Sequence, residues 1–293
     1  MMIFVSGTKR SGTSMWMQVL AAAGCPVLGD QFPPAFTKGL QQANPDGFYE
    51  SLLRNGIYFA TNPHPVTGKY FLPEQVAGYA VKVFIPGVIR SERAYIGHLL
   101  ANVRPWQEYE ASIRRLTAIE DEAMRARGQP VSEDRVQMPP AYEWWIENFS
   151  LVRDITLRRY PARLLTYAQV LADPEATIAD VLRWLGRGDL TTSALTSALT
   201  AVKPQHSTQQ GATSSTSLPP AVARSFDDLY AAVADGTLFR SNALLRALSA
   251  QNQALLPELG ELHTRVIESE IRHAQARGEP RQPAPVTGLP NLD

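Results

Sequence analysis

The segment Gly7-Thr8-Lys9-Arg10-Ser11-Gly12-Thr13-Ser14 constrains this chain more than any other. Before it stands a short apolar run, residues 2–6 (Met-Ile-Phe-Val-Ser), with the length and make-up of a buried parallel strand. After it, Ser14 to Ala23 is rich in good helix formers. Strand, glycine turn and helix open an α/β domain. Two glycines let the backbone curl so that successive N–H groups point inward, and the helix N-terminus beyond adds partial positive charge. Lys9 and Arg10 contribute cations, and Ser11, Thr13 and Ser14 contribute hydroxyls. A loop of this chemistry suits a phosphate.

The rest of the chain extends the same class, an α/β fold with a P-loop-like parallel sheet flanked by helices and a helical C-terminal part. Residues 30–78 hold many Pro, Gly and Asn and read as a long loop with a short helix from Ser51 to Ala60. Ala80-Val-Lys-Val-Phe-Ile is a second strand ended by Pro86-Gly87, and His98–Val103 is a third. Helices are predicted over 106–127 and Tyr142–Arg159, with a strand at Arg163–Tyr167. Asp173-Pro174 caps a helix that ends at Gly186. Residues 203–218 are Ser-, Thr- and Gln-rich and read as loop, and the chain is helical from about 220. There Leu248, Leu255, Leu259, Leu262 and Val266 form an apolar stripe interrupted at Pro257. The stripe predicts packing on the parent domain, with a homodimer contact as the alternative. Residues 1–277 thus read as one domain, and the proline-rich 278–293 as a disordered tail.

Charge and cysteine narrow the partners. Lys and Arg number 28 and so do Asp and Glu, so no global field exists to hold nucleic acid or an anionic membrane. The single cysteine, Cys25, excludes an intrachain disulfide and reads as a buried thiol. No stretch approaches the roughly 18 apolar residues of a membrane span, and the N-terminal run is too short for a signal-peptide core. The expected location is the cytoplasm.

The loop almost fits the nucleoside-triphosphate pattern G-x-x-x-x-G-K-[ST], but Thr13 stands where the lysine belongs and the cations precede the second glycine. No Mg²⁺ site is required by anything visible in the sequence. Lys9-Arg10-Ser11-Gly12-Thr13-Ser14 instead resembles the 5′-phosphosulfate loop of sulfotransferases that use 3′-phosphoadenosine 5′-phosphosulfate (PAPS). That family also holds the donor's 3′-phosphate with an Arg at a strand end and a Ser eight residues later; Arg104 and Ser112 match both positions. Lys82-Val83-Phe84-Ile85-Pro86 is similar to the family's Lys-Thr-His-Leu-Pro, so the resemblance puts Lys82 near the sulfuryl group. Phe84 stands where cytosolic members carry their catalytic histidine.

The resemblance covers about residues 1–210 and implies transfer of a sulfuryl group from PAPS, the co-substrate, to a hydroxyl of a small-molecule acceptor. Lys9, Arg10, Ser11, Gly12, Thr13 and Ser14 would hold the 5′-phosphosulfate, and Arg104 and Ser112 the 3′-phosphate. Asn44-Pro-Asp-Gly-Phe-Tyr-Glu50 resembles a bacterial sulfotransferase segment ending in an acidic residue, so Glu50 is the first candidate base, with Asp46 and His64 behind it. Lys203 and His206 are candidate closing contacts over the donor. Phe48, Tyr49, Tyr58, Phe59 and Tyr70 are candidates for an acceptor pocket or for packing the loop. The alternatives are an ATP-dependent phosphotransferase (kinase) and a non-catalytic nucleotide-binding protein, the latter kept open by Phe84.

Overall fold

The computed structural model describes residues 1–32, 47–128, 135–188, 191–203, 211–214, 216 and 218–276. Its centre is a five-stranded parallel sheet of β1 (Met2–Gly7), β2 (Val27–Leu28), β3 (Ala80–Lys82), β4 (Ile96–Val103) and β5 (Ala162–Thr166). The spatial order is β2-β3-β1-β4-β5. After β1 the chain builds β2 and β3 on one side and then crosses to β4 and β5 on the other. Open α/β sheets bind ligands where the order reverses in this way, at the carboxyl ends of the strands.

The residues of β1 alternate between two cores, as a strand's period of two requires. Ile3 and Val5 pack with α1 (Thr13–Ala22), α6 (Pro174–Trp184) and α7 (Thr192–Leu199). Met2 and Phe4 pack on the other face with α2 (Ile85–Arg90) and the later turns of α4 (Pro140–Arg158). Burial on both faces explains why the strand is apolar without interruption. Cys25 is a buried thiol in the first of these cores.

A third core joins α3 (Trp106–Ala126) and the start of α4 to α8 (Pro220–Ala234) and α9 (Asn242–Ala276). Trp145 stacks on Phe226 at 4.8 Å and on Phe149 at 5.4 Å. Leu248, Leu255 and Leu259 are buried here and Leu262 packs beside them, so the stripe on α9 faces its own domain. A short helix, α5 (Tyr167–Ala172), follows β5 through a capping box at Thr166 and Gln169.

Three local expectations are corrected. The strand at 80 stops at Lys82, and Pro86 does not end an element but sits in the first turn of α2, where its missing N–H is not needed. The predicted helix Ser51–Ala60 is a single 3₁₀ turn, Leu52–Asn55, capped by Ser51 and stopped at Gly56. The two-residue β2 has no counterpart in the sequence reading, being too short to show a period. The tail 278–293 lies outside the described residues. No helix among the described residues is long and apolar enough to cross a membrane.

Candidate active site at the carboxyl end of the sheet

The loop after β1 is held in one shape from below. Gly7 has φ 142° and Gly12 φ 100°, both in the region that favours glycine. A Cβ on Gly7 would lie 2.5 Å from the Asn102 carbonyl oxygen, and one on Gly12 2.9 Å from the Tyr167 ring. Asn102, fully buried in β4, clamps the loop to the helix behind it. Its Oδ1 accepts from Trp16 Nε1 at 2.9 Å, and its Nδ2 donates to the Ser11 carbonyl at 3.1 Å. Gly12 caps α1 with no side-chain bond to the first helical amides, which leaves them available to an anion.

Arg104 leaves the end of β4 beside this loop and is 6% exposed. Its Nη1 donates to the Arg10 carbonyl at 3.2 Å and its Nε to Glu108 Oε2 at 2.9 Å. Its Nη2 is buried and has no acceptor among the described residues. A buried donor of this kind costs about 1–3 kcal/mol unless something supplies an acceptor. Arg10 Nε donates to Ser112 Oγ at 3.4 Å, so the loop, Arg104 and Ser112 converge as the sequence spacing anticipates. Burial lowers the Arg10 pKa, and the nearby guanidiniums of Arg104 and Arg115 lower it further.

Across β1, Lys82 is 5% exposed at the end of β3. Its Nζ donates to the Phe48 carbonyl at 3.0 Å, Glu50 Oε1 at 3.4 Å and Ser14 Oγ at 3.5 Å. The ammonium also lies 5.3 Å from the Phe48 ring centre and 5.9 Å from that of Phe84. Burial lowers the Lys82 pKa and Glu50 works against that shift. Glu50 reaches this point because Asp30 and Glu50 exchange backbone hydrogen bonds at 3.0 and 3.1 Å. Its second oxygen is engaged by Arg54.

The other candidates divide. Lys9 is half exposed and pairs with Glu143 of α4 at 3.8 Å. His64 caps a turn, its Nδ1 accepting from the Val66 and Thr67 amides at 3.2 Å each. Phe59 and Tyr70 are exposed and Tyr49 packs in the first core, so of the aromatic candidates Phe48 is the one seated on Lys82. Lys203 is half-buried just after Val202, which packs in the core around α1. Asp46 and His206 lie outside the described residues.

Several neighbours of the site carry no motif. Tyr167 covers Gly12 and stands near both Arg10 and Arg104. Glu108 links Arg104 to the amide of Gly211 at 3.1 Å. Glu110 is hydrogen-bonded by Ser214 and Thr216 and paired with Arg114. Burial would raise its pKa, but these donors outweigh burial and hold it below the ordinary carboxylate range. Together Glu108 and Glu110 tie the segment around 211–216 to the helix that carries Ser112. An asparagine inside an apolar strand is too common a feature to single out Asn102 in advance. Compared with known proteins, the chain matches no family model and no curated sequence.

Proposed function

We propose that this protein is a sulfotransferase that moves a sulfuryl group from PAPS to a hydroxyl of a small-molecule acceptor. The observation that carries this reading is the buried Arg104 guanidinium whose Nη2 has no acceptor among the described residues, set beside Arg10 and a glycine loop at the switch point of a parallel sheet. One phosphate group on the loop and a second at Arg104, Arg10 and Ser112 match a donor with phosphates at both ends of its ribose. The strand order and the loop after β1 support a P-loop-like sheet. The Tyr167 ring over Gly12 is a flat surface on which the donor's base can lie.

The proposed step is an in-line displacement at sulfur. Loop amides, Lys9 and Arg10 hold the 5′-phosphosulfate, and the Lys82 ammonium supports the oxygen that leaves. Glu50, the base nominated by the sequence, is engaged by both Lys82 and Arg54. Both of its oxygens already have cationic partners. We therefore assign Glu50 to orienting Lys82.

Calorimetry with adenosine 3′,5′-bisphosphate tests the donor half. Binding by the wild type, lost in Arg104→Ala, is the expected result. Binding of Mg²⁺-ATP with no affinity for the bisphosphate would establish the phosphotransferase instead.

A further inference from the structure

Arg104 is aimed by its neighbours, and one of them does not serve the helix it stands on. Resting on the sulfotransferase reading, we propose that Glu108 is a positioning residue. It fixes Arg104 for the donor's 3′-phosphate and ties the segment around 211–216 to that arginine. Glu108 is the third residue of α3, which starts at Trp106. A glutamate there ordinarily turns back onto the amide of the residue that caps the helix. Here the cap is Pro105, which has no N–H to offer. The carboxylate reaches elsewhere. Its Oε2 accepts from Arg104 Nε at 2.9 Å and its Oε1 from the Gly211 amide at 3.1 Å. One side chain thus bridges the end of β4 and a segment 103 residues further along the chain than Glu108 itself.

The bridge determines which part of Arg104 is left for a ligand. Trp144 holds the Arg104 backbone, its Nε1 donating to the carbonyl at 2.8 Å. In the side chain, Glu108 takes Nε and the Arg10 carbonyl takes Nη1 at 3.2 Å. Nη2 is left, buried and with no acceptor among the described residues. Arginine carries its donors in a rigid plane, so two fixed nitrogens fix the third. The Arg104 and Glu108 side chains are only 7% and 15% exposed, so the pair counts for more than a surface ion pair. The bridge also requires a carboxylate. Glutamine keeps the length but has one oxygen. Its NH₂ group would face either the Arg104 N–H or the Gly211 N–H, donor against donor.

The far end of the bridge is anchored as well. Glu110, two residues further along α3, has a side chain 1% exposed and accepts from the Ser214 and Thr216 hydroxyls. The segment is thus held on α3 at two points, and the Gly211 point is the one that shares a partner with Arg104. A phosphate on Nη2 holds the guanidinium still and with it the pairing to Glu108. By linkage, what steadies Arg104 steadies Gly211. Glu108 makes the segment respond to the 3′-phosphate rather than to the rest of the donor.

The test compares wild type, Glu108→Gln, Arg104→Met and the double variant by calorimetry. Two ligands are used: adenosine 3′,5′-bisphosphate, and adenosine 5′-phosphosulfate, which lacks the 3′-phosphate. Wild type that binds neither sinks the donor reading itself. With that reading intact, Glu108→Gln should weaken the bisphosphate by about 10-fold and leave the phosphosulfate within about twofold. Equal weakening of both ligands would mark a merely structural glutamate and overturn the proposal. On top of Arg104→Met, Glu108→Gln should add nothing, and additive losses overturn it too. Hydrogen exchange on the wild type needs no variant. The bisphosphate should slow exchange of the Gly211 amide and the phosphosulfate should not. An amide that ignores the bisphosphate, or slows equally with both ligands, overturns the link to the segment.

Discussion

Two cationic centres lie at the same end of the sheet and are built in opposite ways. Around Lys82 the polar groups answer one another: the ammonium has a carbonyl, a carboxylate and a hydroxyl, and the carboxylate has a second cation. Around Arg104 the count does not close. One guanidinium nitrogen is buried without an acceptor among the described residues, and the charges of Arg104 and Arg115 press on Arg10. Folding alone does not favour such an arrangement, because a buried unmade hydrogen bond is a net cost. On the sulfotransferase reading proposed above, the first centre is preorganised for the transfer and the second is a socket whose acceptor is a phosphate of the donor.

The sharpest way to break this comparison is Arg104→Met. If Arg104 is a socket, adenosine 3′,5′-bisphosphate affinity should fall by about 100-fold or more, since charge-assisted hydrogen bonds are worth about 1.5–3 kcal/mol each. The melting temperature of the empty protein should fall only modestly, because the loss of the bonds to Glu108 and the Arg10 carbonyl is partly offset by removal of an unanswered donor. A large loss of stability would instead make Arg104 a structural residue.

Lys82→Met should behave the other way round. It removes the cation from the leaving oxygen, so turnover of PAPS should drop by roughly 100-fold, the effect of deleting one preorganised donor. Bisphosphate affinity should change by less than about fivefold, as Lys82 faces the sulfuryl side. Equal losses in binding and in rate would merge the two centres into one.

The part of this site that was legible in the sequence is the part built from fixed spacing. The strand, glycine loop and helix at residues 2–22 follow from apolar runs around two glycines, and the pairing of Arg104 with Ser112 comes from the resemblance to the sulfotransferase pattern. The fate of Ala80–Ile85 was not legible. Five apolar residues around Lys82 carry no clear period, and Pro86 reads equally as a stop or as a first helical turn. Packing of α2 against α4 and against the turn at Leu52–Asn55 decides. Asn102 and Glu108 were invisible for a related reason. An asparagine in a strand and a glutamate on a helix usually face water, and their roles depend on what the fold brings over them.

Gly7→Ala attacks the socket through its backbone. A Cβ there would stand 2.5 Å from the Asn102 carbonyl oxygen at a φ of 142°, and neither the strand nor the peptide can move aside easily. Strain of this kind costs about 1–3 kcal/mol. The variant should melt several degrees lower and bind the bisphosphate more weakly, while the 3.0 Å bond from Lys82 to the Phe48 carbonyl, built on another element, is kept. Protection of the loop amides in hydrogen exchange, measured beside that of β3, separates the two regions; equal loss in both would mean that the loop and the Lys82 centre fold as one piece.

The smallest effect concerns Glu147 of α4, which mirrors Arg104: among the described residues one is a buried donor without an acceptor, the other a half-buried carboxyl without a donor. Its pKa is raised from the ordinary 4.5 to about 8, so between those values the folded protein holds a proton that the unfolded chain has released. Stability then falls as pH rises through that window, because the folded state binds more protons than the unfolded one. Below 4.5 both states are protonated and the penalty vanishes; above 8 it is complete. Glutamine cannot ionise and escapes it. Glu147→Gln should therefore melt like the wild type near pH 4.5 and higher than the wild type at pH 8, by an amount on the order of 1 kcal/mol once partial exposure is allowed for. Melting curves that stay parallel across this range would show that Glu147 is solvated like any surface carboxylate.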